Sequence, residues 1–582
     1  MVRTAVLLVL FVLSGLPARA DDGWCKFLWT ELIAFDNTKA DYGVADFLGR
    51  MSKRPTGVSL LLLEPELFEK HTPLTVDRPL PERACAYGKR PCNEEHARQD
   101  WTAFQLRGLV GTLKAHGVEV YASFFEFGRQ HPTDPLPDGR PYVSKFVEGT
   151  TAFLRDYGFS GLHGADGFAH PRKTLAERGI SVERCLDEAT KWTSFWQEAA
   201  AAFRQAGFKT YLNTCWTRDP YEAIVRYGVD YRTLAKTPID GFFVESSAGG
   251  LILEGWNYTE ESVLDKCTAM LARLRAAMPD KELFLLHCFK DGEERFDALR
   301  HAPLLVSAEA LSMANTFVDG RRTLVGVVGS LVDAIGREEW TRLDATWNLA
   351  FAFPAALPDG VRVVWDDEAL TRECLELPKQ KAASSLTLLA ALVSRGAVLG
   401  GLVSTERART DVALPVLVLN PACYPRQTLE ALRQRGGTVI EFGLGRDAFS
   451  EHPVAVEPKN WLYPLVESRP SSQTFAAAVK RINAMSPVVP SDDRGGFALS
   501  SAVDPNGMRR ILLRNNRPTY HYAEVDVKGR VTKAEILTDD PRQPVRCDCL
   551  ENGWTRLYVK LPPLGVVMLR IGDGHFATFE QR

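Results

Sequence analysis

Two carboxylates stand where short apolar runs end. Gly158-Phe159-Ser160-Gly161-Leu162-His163-Gly164-Ala165 leads to Asp166 and then Gly167, and Ile239-Asp240-Gly241-Phe242-Phe243-Val244 leads to Glu245 and then Ser246-Ser247. Each run reads as a buried strand, and the small residues after each acid leave room for a ligand. In a parallel α/β barrel the C-terminal strand ends form the mouth where chemistry is done. Two carboxylates at one mouth can cleave a glycosidic bond, one protonating the leaving oxygen and the other attacking the anomeric carbon or activating water. Asp166 and Glu245 are therefore the candidate catalytic pair. A separation of roughly 5 Å would suit direct attack and a larger one a water-mediated route. An apolar wall beside Glu245 would keep it protonated, as a general acid requires. Which of the two is nucleophile stays open, and the bland counterparts are a helix-capping Asp166 and a structural ion pair at Glu245.

A second tier of residues would hold the sugar. Glu64 precedes Pro65 at the end of the second run, and Glu126 follows the third; either could bind hydroxyls or replace one of the pair. Asp36-Asn37 and Asn213 close the first and fifth runs as hydroxyl-binding groups. His163, His170, Arg172 and His287 lie at or near strand ends as donors, although such residues are as often hydrogen-bonded within the fold. Trp29, Trp216 and Trp256 could stack on pyranose faces, or pack cores. The spacing His163-x-x-Asp166-x-x-x-His170 raises a metal-dependent hydrolase as an alternative. The first run reads Ala34-Phe35-Asp36 where such barrels carry His-x-His, so neither a metal nor another cofactor is expected.

The elements that must position these groups repeat from Trp29 to about Val318. An amphipathic helix, a Gly or Pro turn and a β-rich run follow one another, as in Trp101, Phe104, Leu106, Leu109, Val110 and Leu113, then His116-Gly117, then Val118–Phe125. The candidate strands are 29–36, 57–63, 118–125, 159–165, 208–213, 240–245 and 283–288, with an eighth between 304 and 330. Strands alternating with helices over this length predict a (β/α)8 TIM barrel across 21–374. From 375 to 486, Leu414–Pro421, a helix near Leu429–Arg435 and Gly436-Gly437-Thr438-Val439-Ile440 predict a small flavodoxin-like α/β domain without a dinucleotide loop. From 487 to 582 short strands and the turn Asp504-Pro505-Asn506-Gly507 predict an antiparallel β-sandwich.

The 582 residues require two to four domains. A net charge of −3 with 25% charged residues offers no polyanion-binding surface, so nucleic acid is not an expected partner. Arg3, the apolar run Ala5–Leu16 and Ala18-Arg19-Ala20 have the order of a signal peptide over 1–20, implying a secreted or periplasmic protein. That run is shorter than the ~20 residues of a spanning helix, so no membrane association is expected after cleavage. Of eleven cysteines, Cys85 and Cys92 share one polar loop and are the best candidates for a local disulfide, whereas Cys215 and Cys288 read as core thiols.

Barrel, α/β module and sandwich in this order resemble the family 42 glycoside hydrolases, β-galactosidases whose middle module makes trimers. The clearest carriers are Val416-Leu417-Val418-Leu419-Asn420-Pro421 with the helix after it, Gly436-Gly437-Thr438-Val439-Ile440, and the closing Leu561-Pro562-Pro563-Leu564-Gly565-Val566-Val567-Met568-Leu569. The resemblance implies a carbohydrate substrate and a homotrimer. The active-site pattern departs from it: that family carries Asn-Glu after the fourth strand and Glu on the seventh, where this chain has Ala165-Asp166 and His287-Cys288. Carboxylates on the fourth and sixth strands look more like retaining dextranases and α-galactosidases, so the β-galactosidase activity does not carry over. The reading is an exported glycoside hydrolase acting on oligo- or polysaccharides by a two-carboxylate mechanism. Its alternatives are a non-catalytic carbohydrate-binding protein on the same scaffold and the metal-dependent hydrolase.

Overall fold

The structure is a computed structural model and describes residues 23–63, 65–85, 99–124, 135–165, 182–214, 220, 222–245, 263–287, 298–330, 332–352, 357–380, 382–444, 454–455, 466–467, 470–491, 496–503, 507–538 and 545–572. Eight parallel strands close a barrel: β1 (Cys25–Thr30), β2 (Gly57–Leu63), β3 (Glu119–Phe124), β4 (Gly161–Gly164), β5 (Lys209–Asn213), β6 (Gly241–Glu245), β7 (Glu282–His287) and β8 (Gly326–Ser330). One edge differs from the sequence reading. The first strand stops at Thr30, because Leu32–Ala34 turn as a 3-10 helix rather than extending to Asp36. The eighth strand, expected between 304 and 330, is Gly326–Ser330, and Leu304 onward belongs to a helix, α5 (Pro303–Ala314), which Pro303 opens from its first turn.

The barrel interior is filled in layers. Phe27, Tyr121, Tyr211 and Phe284 point inward from β1, β3, β5 and β7, and each pairs in register with a glycine on the next strand: Gly57, Gly161, Gly241 and Gly326. Phe27 sits among the rings of Tyr121, Tyr211, Phe243 and Phe284 at centroid distances of 4.9–5.7 Å. A Cβ on Gly57 would lie 2.4 Å from the Phe27 ring, and one on Gly161 2.2 Å from the Lys209 carbonyl oxygen. In this layer the odd strands supply the rings and each even strand a glycine, where a Cβ would strike either the Phe27 ring (Gly57) or the carbonyl of the next strand (Gly161, Gly241 and Gly326).

Helices cover the barrel, among them α1 (Ala103–Ala115), α2 (Tyr142–Tyr157), α3 (Val182–Gln205), α4 (Val263–Ala277), α5 and α6 (Arg337–Phe351). Thr102 caps α1 with a reciprocal box through Gln105. Among the described residues no helix is long and apolar enough to cross a membrane.

A second, six-stranded sheet runs in the order β12 (Val439–Phe442), β11 (Val416–Leu419), β9 (Val361–Trp365), β10 (Leu399–Ser404), Phe317–Val318, Arg321–Arg322, parallel except at the last edge. Its central strand and one edge therefore come from residues ahead of 375. The C-terminal region is two antiparallel sheets. One holds β14 (Phe497–Val503), β15 (Arg509–Asn515), β17 (Lys533–Ile536) and β20 (Val566–Gly572), the other β13 (Val488–Pro490), β16 (His521–Lys528), β18 (Arg546–Cys549) and β19 (Trp554–Leu561). Val525, Leu557, Ile511 and Leu569 fill the space between them.

One buried ion pair fixes the barrel's first strand to its last helix. Lys26 faces outward from β1, and its ammonium donates to Asp344 Oδ1 at 2.6 Å and to the Lys53 carbonyl at 3.0 Å, 4.4 Å from the Trp340 ring centroid. Asp344 Oδ2 accepts from the Ser52 amide and hydroxyl and from the Lys53 amide. Burial pushes the Lys26 pKa down to about 8 despite the attraction of Asp344. Lys26→Met should therefore lower unfolding free energy by about 3–5 kcal/mol in urea melts, because it strands a buried carboxylate. The double variant Lys26→Met/Asp344→Leu should lose less than the two single changes summed. A loss below about 1 kcal/mol for Lys26→Met would show that the pair does not hold this seam.

Candidate functional site

The alternation of inward side chains carries directly into the barrel's C-terminal end. Above the aromatic layer, the even strands contribute Ser59, His163, Phe243 and Val328, and the odd strands then contribute Trp29, Ser123, Asn213 and Leu286. The last even set is Leu61, Ala165, Glu245 and Ser330. Aromatic and aliphatic members of these rows form one buried cluster with Phe27.

The polar members satisfy one another. His163 is fully buried, with Nδ1 2.7 Å from Ser59 Oγ and Nε2 2.7 Å from Asn213 Oδ1. With Asn213 Oδ1 accepting, Nε2 carries the proton and, in the neutral ring, Nδ1 accepts from the Ser59 hydroxyl. Trp29 packs edge-on to this imidazole at 5.3 Å and donates its indole N–H to Ser123 Oγ at 3.1 Å; Phe243 packs on it at 4.6 Å. Trp29, His163 and Asn213, three of the sequence candidates, are thus brought together just beneath the mouth.

Glu245 is the last residue of β6, half-buried on the inward row of Gly241 and Phe243, and its amide donates to Thr214 Oγ1 at 3.2 Å. Two further carboxylates at this end were not singled out from sequence. Glu31 follows β1 directly and is fully buried, and Asp333 follows β8 in the 3-10 turn Val332–Ala334 and is buried too. The signal for Glu31 was its position two residues beyond Trp29 in the alternation, hidden by extending the first strand to Asp36.

Asp36 and Asn37 lie beyond that 3-10 turn, in a loop. Asp36 Oδ1 accepts from the Thr38 amide and hydroxyl and from Gln99 Nε2, which lowers its pKa from 3.8 to about 2. The Asn37 amide donates to Gln99 Oε1, and its Nδ2 donates to the Asp100 carbonyl. His287 follows Leu286 and so faces away from the interior. Its Nε2 lies 3.0 Å from Glu309 Oε2 of α5, and its Nδ1 accepts from the Trp347 indole of α6 at 3.4 Å, so the ring is walled between barrel and helices. Asp166, Glu64, Glu126, His170, Arg172, Trp216 and Trp256 lie outside the described residues, as does Cys92. Among the described residues no cluster of three or more His, Cys, Asp or Glu side chains is arranged to hold a metal ion.

The Asp36 contacts generate an acid-side expectation. A carboxylate whose folded pKa is depressed contributes stability that is full above about pH 4 and is lost as pH falls toward 2. Melting temperature should therefore fall less steeply between pH 4 and 2 in Asp36→Ala than in the wild type, the variant starting lower at pH 7. Parallel curves would remove Asp36 from the forces ordering this loop.

No family model matches the chain, and no curated protein matches it. Among solved structures the chain is similar to the apo exo-carrageenase GH42 from Bacteroides ovatus, at 12% identity and a TM-score of 0.43 over 94% of this chain and 80% of that one. It is also similar to the catalytic module of a family 98 glycoside hydrolase from Streptococcus pneumoniae, in complex with the H-disaccharide blood group antigen, at 10% identity and a TM-score of 0.40 over 94% and 98%.

Proposed function

We propose that the chain is an exported glycoside hydrolase acting on an oligo- or polysaccharide, with Glu245 and Asp166 as its two working carboxylates. The observation that carries the reading is Glu245 itself, an acid on the inward row at the C-terminal end of a closed parallel barrel. It stands above a dry aromatic layer and a hydrogen-bonded His163–Asn213–Ser59 set. That is where barrel enzymes do their chemistry. In the retaining form of the proposal, Asp166 attacks the anomeric carbon as Glu245 protonates the departing glycosidic oxygen. Glu245 then removes a proton from the water that breaks the glycosyl ester, restoring both groups. Trp29 and the Asn213 amide lie close below the place where a sugar ring would sit. The parallel strand order β12-β11-β9-β10 supports reading the middle module as flavodoxin-like, and a trimer through that module belongs to the same proposal.

The test is turnover of a panel of aryl glycosides and neutral oligosaccharides by the whole chain. Glu245→Gln and Asp166→Asn should each lower kcat by about 10²–10⁴-fold with the melting temperature held. Azide should restore turnover of activated aryl substrates by one of the two variants. Sugar binding without any wild-type turnover would favour the non-catalytic reading, and loss of turnover on chelation the metal-dependent one. Full activity in both variants, with loss in Glu31→Gln or Asp333→Asn, would move the chemistry to the other buried acids.

A further inference from the structure

The outer face of the C-terminal sandwich's second sheet is unlike an ordinary solvated surface. Along β16 and β19 burial alternates strictly, with Ala523, Val525, Val527, Leu557, Val559 and Leu561 turned inward. The positions turned outward are Tyr522, Glu524, Asp526 and Lys528 on one strand, and Trp554, Arg556, Tyr558 and Lys560 on its neighbour. Tyr522 is 71% exposed and Tyr520, two residues before it on the same side, 61%. Two adjacent tyrosines held this far into water are a feature of binding surfaces, where an apolar ring face meets a partner and the hydroxyl stays wet.

The polar groups between the rings are already paired and held flat. Arg556 makes a two-pronged contact with Asp526, its Nε donating to Oδ1 at 2.8 Å and its Nη2 to Oδ2 at 3.0 Å, and Nη1 reaches Glu524 Oε2 at 3.3 Å. Arg546 of β18 does the same to Asp548, at 3.0 and 2.7 Å, while lying 5.0 Å from the Tyr558 ring centroid. The Lys560 ammonium lies 4.4 Å from the Tyr520 ring centroid. Across the face four basic groups (Lys528, Arg546, Arg556, Lys560) stand against three acids (Glu524, Asp526, Asp548), a balance too close to neutral for a phosphate backbone, which needs several uncompensated cations. Outward aliphatic side chains are nearly absent from these strands, so a protein partner would have to dehydrate paired charges with little apolar gain.

We infer that this face is a second glycan-binding surface, distinct from the barrel mouth, which takes a neutral polysaccharide chain. Tyr520 and Tyr522 present ring faces to the C–H faces of successive pyranoses. The Arg556–Asp526 and Arg546–Asp548 pairs offer donors and acceptors side by side to hydroxyl groups that need both. Cross-strand diagonal neighbours in a sheet are about 7–8 Å apart, a spacing that lets Tyr522 and Tyr558 sit under neighbouring or next-neighbouring sugars. The choice of a glycan, rather than another neutral polymer, rests on the hydrolase reading of the barrel.

The experiment is native affinity electrophoresis of the full chain, carrying Glu245→Gln so that no polymer is consumed, through gels containing xyloglucan, galactomannan, mixed-linkage β-glucan, dextran or starch. At least one polymer should retard the protein, and Tyr520→Ala/Tyr522→Ala should weaken that retardation at least tenfold with the circular dichroism spectrum unchanged. The same double substitution in the wild-type background should leave turnover of small aryl glycosides as it was. Equal retardation of both proteins, or no retardation by any of the five polymers, would overturn the inference. So would a dimer in sedimentation velocity that the double variant abolishes, since the face would then belong to a second copy. Aryl glycoside turnover without retardation would sink this surface and spare the barrel reading; retardation lost in the double variant without any turnover would do the reverse.

Discussion

The interior of the barrel sets the terms for everything above it. Eight strands enclose room for about four side chains per layer, and here one layer is taken by Phe27, Tyr121, Tyr211 and Phe284, four rings from four alternate strands. Gly57 makes room for the Phe27 ring, while Gly161, Gly241 and Gly326 allow close approach to the carbonyl of the next strand. The two tyrosine hydroxyls point toward the N-terminal rim, Tyr121 donating to Glu119 at 2.6 Å and Tyr211 to Glu282 at 2.7 Å, and burial raises both phenols far above their usual range. Lys209 completes that rim by pairing with Glu119 at 2.8 Å. The plug therefore turns its polar tips away from the mouth and its carbon faces toward it.

Polar residues stacked on such a plug meet ring carbon beneath them and must find partners sideways. Ser59, His163 and Asn213 do so in one chain of 2.7 Å contacts, and Trp29 with Ser123 in another. In low dielectric these bonds are strong and their loss is costly, which makes the layer a rigid floor. Glu245 is set on that floor and held by the strand, not by a loop.

Much of this was legible before any coordinates. The glycine that opens four of the eight strands, and the bulky residue facing it, emerge only from the strand register. Six strand positions followed from apolar runs bounded by turns, and Glu245 from the acid that ends one of them. The misread edges have local causes. Leu32-Ile33-Ala34 continues an apolar run past Thr30, and only the 3-10 turn, which hydrophobicity does not encode, separates Glu31 at the strand end from Asp36 in the loop. His287 was read as a strand-end donor, but alternation from Phe284 and Leu286 turns it outward, toward Glu309 and Trp347. Counting parity along each strand, rather than noting which residue comes last, is the step that distinguishes Glu245 from His287.

The division into three modules is legible as composition but does not describe how the molecule holds together. Helix α4 lies where all three meet. Leu271 and Leu274 join the barrel core, Ala269, Met270, Ala272 and Ala276 join the core of the six-stranded sheet, and Leu264 packs with Val566 and Met568 of the sandwich. Its charges do the same: Asp265 pairs with the buried Arg514 of β15 and accepts from Ser394, and Arg273 donates to Ser385, whose amide and hydroxyl both bind the buried Glu373. A barrel cut at 374 would expose one apolar face of α4 and part Asp265 from Arg514 and Arg273 from Ser385. Position 375 is therefore not a mechanical boundary. Because residues of one helix belong to three cores, the barrel, the six-stranded sheet and the sandwich pack against one another through it.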